Sequence, residues 1–397
     1  MTKRIASRFD EVQESATFKI GDLVKRLRAE GASIADLGGG DPDFATPMHI
    51  VESGAKSMRE GFTHYVASRG IPPLLEAISR DLSARSGLDY DPKQQIIVTP
   101  SAKHAIYIAM LTIVDPGDDV LILSPTWVSH EMIVRLVGGN PVFVVIGDSR
   151  GEPVTEELLE RHVTPRSKAL LLNSPNNPTG RVLTEQELSA VGAVAERHDL
   201  LIVSDEIYNQ VVYDGLKAPS VGALANGRNR TLTVNGFSKT YAMTGWRLGY
   251  LAGPVDVIAE AVKAQQHTVG CAASFSQVAA VTALESSQDV VKEMVDKYDE
   301  RRRFIVPALD ELPGVTCATP AGAFYAWANI EGTAIPDSVE FASWLLREAR
   351  VAVTPGSAFG PGGEGHIRLS FANSLTVIEE ALGRMRAVLQ ARTAITS

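Results

Sequence analysis

NGFSKTYAMTGWRLGY, residues 235–250, is the stretch on which the reading of this chain turns. A β-branched run, Thr231-Leu232-Thr233-Val234, comes just before it, and a second short apolar run, Gly249 to Ala252, closes it. Two buried strands joined by a loop put Lys239 and Arg247 where side chains reach a cleft rather than bulk water. Ser238, Thr240 and Thr244 bring hydroxyls to the same loop, and Gly236, Gly245 and Gly249 let the backbone come close to a ligand. A lysine desolvated beside an arginine has its ammonium form destabilised and becomes an amine nucleophile near neutral pH. The arginine stays charged and suits a phosphate or a carboxylate. A Ser-Lys pair alone matches many exposed loops by accident, so the length of the string and its surroundings carry the weight.

Outward from that stretch the chain alternates. Strands are predicted at 96–99, 119–123, 141–145, 168–172, 200–204, 231–235 and 249–252, with helices between them at 102–114, 127–137 and 184–198. Short apolar strands with helical crossovers predict an α/β fold with a mostly parallel, helix-covered sheet. Upstream lie a polar arm over residues 1–17 and an amphipathic helix with Ile20, Leu23, Val24 and Leu27 at helical spacing, stopped by Gly31. A strand at 34–37 and helices at 48–60 and 72–86 follow. After Pro254 the pattern is helical over 255–268, 274–285 and 288–311. Short strands at 324–329, 351–353 and 367–371 and a last helix at 375–391 read as a smaller α+β unit.

Composition narrows the class. A chain of 397 residues is too long for one compact core and suggests two domains. A net charge of −9 with no long basic run argues against a nucleic-acid binder. Two cysteines, Cys271 and Cys317, make no disulfide framework and fit a reducing compartment. The N-terminus lacks the apolar core of a secretory signal, and no apolar run is long enough to span a membrane. A cytoplasmic protein is expected. The histidines form no HExxH arrangement and the cysteines lie far apart, so no metal site is expected.

SKTYAMTGWRLGY resembles the active-site lysine motif of the class I, fold type I, pyridoxal-phosphate aminotransferases, and is most similar to that of the bacterial aspartate aminotransferases. Other landmarks of the family recur along nearly the whole chain. The resemblance implies that Lys239 bonds covalently to the pyridoxal 5'-phosphate and that Arg247, eight residues on, holds its phosphate. It also implies three segments: residues 1–47 as N-terminal arm and part of the small domain, 48–285 as the large cofactor-binding domain, and 286–397 as the rest of the small domain.

Further motifs gain meaning from the resemblance. Thr99-Pro100-Ser101-Ala102-Lys103-His104 leaves a strand and opens a helix, which by itself is a helix cap. The family places phosphate ligands there, so Ser101, Ala102 and Lys103 become candidates, with the helix N-terminus facing an anion. A serine three residues before the lysine binds phosphate in some relatives; here that residue is Gly236, so Ser238 or backbone groups have to substitute. Asp205, at the carboxyl end of an apolar strand, would keep the pyridine nitrogen protonated. Tyr208 and Asn177, the latter in Asn176-Asn177-Pro178-Thr179-Gly180, would donate to the phenolic oxygen. Trp127 would stack on the ring. Gly40, last of Gly38-Gly39-Gly40, would lie against the substrate. Arg368, on an alternating strand, would hold the α-carboxylate through two bonds, a geometry lysine does not reproduce. Tyr65 would reach the phosphate of a neighbouring subunit, which requires a homodimer.

The activity implied is ping-pong transamination between an amino acid and a 2-oxo acid, with Lys239 moving the proton. Lys103 and Ser15-Ala16-Thr17 match the lysine and the Ser-Ala-Thr by which the bacterial aspartate enzymes recognise a distal carboxylate. Ser15, Thr17 and Lys103 therefore point to aspartate with 2-oxoglutarate. Gln13-Glu14 departs from the Lys-Pro of close relatives, which keeps prephenate, aromatic and basic amino acids as alternatives. A β-lyase of the same fold shares the cofactor residues. A transcriptional regulator with an aminotransferase-like domain carries an N-terminal winged helix, and fewer than fifty residues precede GGGDPDF here.

Overall fold

The computed structural model describes residues 4–12, 14, 16–148 and 150–396. In chain order its strands are β1 (Ala35–Asp36), β2 (Ile96–Thr99), β3 (Asp119–Ser124), β4 (Asn140–Val145), β5 (Ser167–Asn173), β6 (Leu201–Asp205), β7 (Thr231–Gly236), β8 (Gly249–Ala252), β9 (Thr316–Cys317), β10 (Tyr325–Asn329), β11 (Val351–Ala352), β12 (Thr354–Pro355) and β13 (His366–Ser370). Seven of them form one sheet, in the order β2-β8-β7-β6-β5-β3-β4. Alternate residues of β5 enter different cores. Ala169 and Leu171 pack with Ala105, Ile106 and Ala109 of the helix Ala102–Ile113, whereas Leu170 and Leu172 pack with Leu188, Val191 and Val194 of the helix Glu185–Arg197. The sheet is thus covered on both faces, which explains why its strands read as continuous apolar runs.

Within this mostly parallel sheet β8 is the exception, running antiparallel to both β7 and β2. The segment 237–248 joins β7 to β8 without a crossover helix, so the chain simply reverses. This reversal restores β2 to the direction of β7. The carboxyl ends of β2, β3, β5, β6 and β7 therefore all open on one edge of the sheet, the edge at which α/β folds bind ligands.

A four-stranded antiparallel sheet, β12-β13-β10-β9, lies in the C-terminal part of the chain. β1 pairs in parallel with β11, Ala35 opposite Val351, so the early segment joins the late one. Several features differ from the expected pattern. The helix Ser338–Glu348 was not anticipated, although Asp337 caps it by accepting from the Glu340 N–H at 2.7 Å and Phe341, Trp344 and Leu345 bury one face. The helix expected at 127–137 begins at Ser129 and leaves Trp127 in the preceding turn. The stretch read as a polar arm contains a 3-10 turn, Ser7–Asp10, and the start of the helix Ala16–Ala29. β9 and β12, two residues each, are too short to leave a period in the sequence. Among the described residues no helix is long and apolar enough to cross a membrane.

Candidate active site

The shared strand edge opens into a cavity of about 440 Å³. At one end Ser101 leaves β2 with φ 105° and caps the helix Ala102–Ile113 by accepting from the His104 N–H at 3.3 Å. The first N–H groups of that helix have no intrahelical partner, and the helix dipole adds positive potential there. Gly249 makes this approach possible: a Cβ on it would stand 2.4 Å from the Ala102 nitrogen. Arg247, in the left-handed region at φ 53°, lies near the same end and donates to the Thr244 carbonyl at 2.7 Å. Gly236 is packed against the β8 backbone, where a Cβ would lie 3.0 Å from Gly249 Cα and the Leu248 carbonyl. Ser238 and Thr244, both on this loop, bring hydroxyl-bearing side chains to the cavity lining.

Lys239 lies between those groups and the opposite wall, its Nζ donating to the Gly40 carbonyl at 2.6 Å. Burial, aided by the positive charges of Arg368 and Arg247 and opposed by Asp41, brings its amine down to about 8. A useful fraction of neutral amine therefore exists near pH 7 to 8, as a nucleophile or base requires. Lys103 sits at the mouth with its Nζ 4.8 Å from the centre of the Trp127 ring. Burial first, and Arg247 second, lower its amine as well.

Asp205 ends β6 and faces the cavity. Its Oδ1 accepts from the Ile207 N–H at 3.2 Å and its Oδ2 lies 3.2 Å from His130 Nε2, whose other ring nitrogen is 2.7 Å from Thr126 Oγ1. The neighbouring Glu206 points away. It accepts from Ser204 and Ser220, and burial pushes its carboxyl up to about 7. Asn173, the last residue of β5, braces the edge: its side chain donates to the Asp205 carbonyl at 2.9 Å and accepts from the Asn177 N–H at 2.8 Å.

The far wall comes from the smaller sheet. Arg368 on β13 is 2% exposed, and its guanidinium donates to Asn177 Oδ1 at 2.9 Å and to the Gly38 carbonyl at 2.6 Å. Its buried Nε has no partner, and among the described residues no carboxylate pairs with it. Burial lowers the affinity of this group for its proton without neutralising it. A desolvated guanidinium lacking an acid is costly unless an anionic ligand completes it.

Comparison with known proteins decides what this cavity belongs to. The family model for aminotransferase class I and II matches residues 32–385. The chain belongs to that family. It is 43% identical over 380 residues to the aspartate aminotransferase of Musicola paradisiaca, covering 96% of this chain and 95% of that protein. It is 42% identical over 388 residues to aromatic-amino-acid aminotransferase 2 of Thermococcus litoralis, covering 97% and 98%. The solved structure of aspartate aminotransferase from Thermus thermophilus with maleate superposes at a TM-score of 0.92, with 38% identity over 98% of this chain and all of that one. The protein is an aminotransferase that catalyses transamination, in a family that generally uses pyridoxal phosphate.

Most residues singled out from the sequence meet in the cavity of this aminotransferase: Gly40, Ser101, Ala102, Lys103, Trp127, Asn177, Asp205, Tyr208, Ser238, Lys239, Arg247 and Arg368 all line it. Tyr65 does not, being 94% exposed on the surface. Ser15 lies outside the described residues, and the backbone of Thr17 belongs to the helix Ala16–Ala29 rather than to an extended arm. Sequence reasoning missed His130, Asn173 and Tyr325. His130 and Tyr325 belong to no motif quoted from the sequence. Asn173 stood next to the Asn-Pro motif and its position at a strand end was a usable signal.

Proposed function

We propose that this aminotransferase moves the amino group of aspartate to 2-oxoglutarate with pyridoxal 5'-phosphate held on Lys239. The observation that carries the substrate reading is the buried Arg368 guanidinium without a carboxylate partner, facing a cavity whose mouth holds a second cation, Lys103. Relatives named aspartate aminotransferase support the choice. An α-carboxylate would complete Arg368, and Lys103 would take the distal one.

The donor set fits the cofactor. The Ser101 hydroxyl, the N–H groups of Ala102 and Lys103 at the helix start, the Ser238 hydroxyl and Arg247 would hold its phosphate, and Trp127 would cover the ring. Asp205, kept in place by His130, would hold a proton on the ring nitrogen. Bound pyridoxal phosphate supplies an electron sink for the pair left on the substrate carbon. The Lys239 Nζ would take the proton from that Cα, which its lowered amine permits. Gly40 holds the lysine through its carbonyl, and Arg368 fixes the substrate so that its Cα faces Nζ.

Aromatic amino acids form the second reading, favoured by the Thermococcus relative and by the Trp127 and Tyr325 rings in the cavity. The exposure of Tyr65, with Met48, Met58 and Phe62 also exposed, supports a homodimer in which Tyr65 serves the second copy's phosphate. The pairing of β1 with β11 supports the division into a large domain, 48–285, inserted between 1–47 and 286–397. Half-reaction absorbance changes with aspartate, glutamate, alanine, phenylalanine and lysine test the substrate reading. Aspartate is expected to react with the highest specificity constant, and a preference for phenylalanine over aspartate would replace the first reading with the second.

A further inference from the structure

Tyr325 belongs to no recognised motif, yet three features of the site meet on it. Its hydroxyl lies 2.8 Å from that of Tyr208. Its ring centre lies 4.4 Å from the Arg368 guanidinium. A Cβ on Gly40, whose carbonyl takes the Lys239 bond, would come within 2.7 Å of the Tyr325 hydroxyl. The side chain is 1% exposed and starts from β10, where Tyr325 pairs with Ser370 of β13, so it has no room to swing away.

The two phenols share one hydrogen bond, and the direction of that bond matters. If Tyr208 donates to Tyr325, it has no proton left for the cofactor's phenolic oxygen. If Tyr325 donates, Tyr208 keeps its proton for that oxygen and becomes a better donor through the chain. Burial raises both phenols above their ordinary range, so each keeps a proton to give. The charged groups facing the pair are Arg368, Asp41 and, beyond Tyr208, Asp205. A negative oxygen of the cofactor, the strongest acceptor within reach of Tyr208, favours the second arrangement.

Resting on the reading that pyridoxal phosphate is held on Lys239, we propose that Tyr325 is a positioning residue that joins the two halves of the site. Its hydroxyl donates to Tyr208 and aims the Tyr208 proton at the cofactor, while its ring seats the Arg368 guanidinium. Cofactor oxygen and substrate carboxylate are thereby aligned through one side chain fixed on a strand.

Tyr325→Phe keeps the ring and removes the hydroxyl. A weakened Tyr208 leaves more negative charge on the phenolic oxygen, so the lysine-bound nitrogen holds its proton more tightly. The pH midpoint of the bound cofactor's absorbance change is expected to rise by about half to one unit, the size of one hydrogen bond. Succinate, an unreactive dicarboxylate, is expected to bind Tyr325→Phe within about twofold of wild type, because the stacked ring survives. Tyr208→Phe with Tyr325→Phe should shift the midpoint no further than Tyr208→Phe alone. Gly40→Ala presses on the Tyr325 hydroxyl without altering Tyr325 and is expected to shift the midpoint upward too, which keeps the test decisive should the first variant not fold. A merely structural role would lower Tm and leave the midpoint in place. An unchanged midpoint in Tyr325→Phe, or a full extra shift in the double variant, overturns the proposal alone. A wild-type chain that gains no absorbance with pyridoxal phosphate overturns the cofactor reading, and this proposal with it.

Discussion

The two sheets supply the site in different ways. The large sheet gives residues at the ends of its strands, Asn173 on β5 and Asp205 on β6, or just beyond them: Ser101 after β2, Trp127 after β3, Asn177 after β5, Tyr208 after β6 and Lys239 after β7. The smaller sheet gives residues within its strands, Tyr325 on β10 and Arg368 on β13, held by a ladder that pairs Tyr325 with Ser370 and Trp327 with Arg368. Loop residues come with turn chemistry, glycines and caps around them, and so leave motifs. Strand residues are set by register and leave only alternation. On the proposed reading, chemistry belongs to the first region and substrate anchoring to the second, where side chains have the least freedom to move.

If that division is right, variants in the first region should stop turnover and variants in the second should weaken binding. The largest effect is expected from Lys239→Ala, which on the proposed reading removes both the attachment point and the proton carrier. Oxo-acid formation should fall by at least about 10⁴-fold, and a reduction of only tenfold would remove Lys239 from the centre of the site. Asp205→Asn keeps the shape and discards the charge, so kcat should drop roughly 10²- to 10³-fold while cofactor still binds. Near-normal turnover in that variant would show that Asp205 only braces the edge.

In the second region, Arg368→Lys should raise KM for every amino acid alike, by roughly ten- to a hundredfold, since lysine loses the paired contact. A loss confined to kcat would mean that the strand residue takes part in the chemistry and would break the comparison. Lys103→Met removes charge but keeps the stem. At the open mouth its effect should be smaller, about tenfold against aspartate and glutamate and little against alanine or phenylalanine. Equal losses for all four would make Lys103 a cofactor ligand.

Glu206, next to Asp205 but aimed away from the cavity, sharpens the contrast. Glu206→Gln should leave turnover within about twofold and act on stability instead. The folded carboxyl titrates at about 7 and the unfolded one near 4.5, so between those values the folded chain binds more protons. Wild-type stability should accordingly fall as pH rises from 4.5 to 7, while the Gln variant avoids that loss. Thermal unfolding of both at pH 4.5 and 7.5 tests this: a gap in Tm of a few degrees is expected only at the higher pH.

Sequence by itself determined the class of sheet and singled out Lys239 and the acids and hydroxyls at strand ends, because each depends on contacts or turns local in the chain. NGFSKTYAMTGWRLGY, Asp205-Glu206-Ile207-Tyr208 and Asn176 to Gly180 are all of this kind. Only the tertiary structure decided that β8 runs antiparallel, which turns β2 back so that Ser101 shares an edge with Lys239. It alone placed His130 against Asp205, 75 residues away in the chain, and Tyr325 against Tyr208, 117 residues away. It also left the Arg368 guanidinium buried among neutral oxygens and rings. Desolvation and partner geometry are sums over distant neighbours, and no window of sequence contains them.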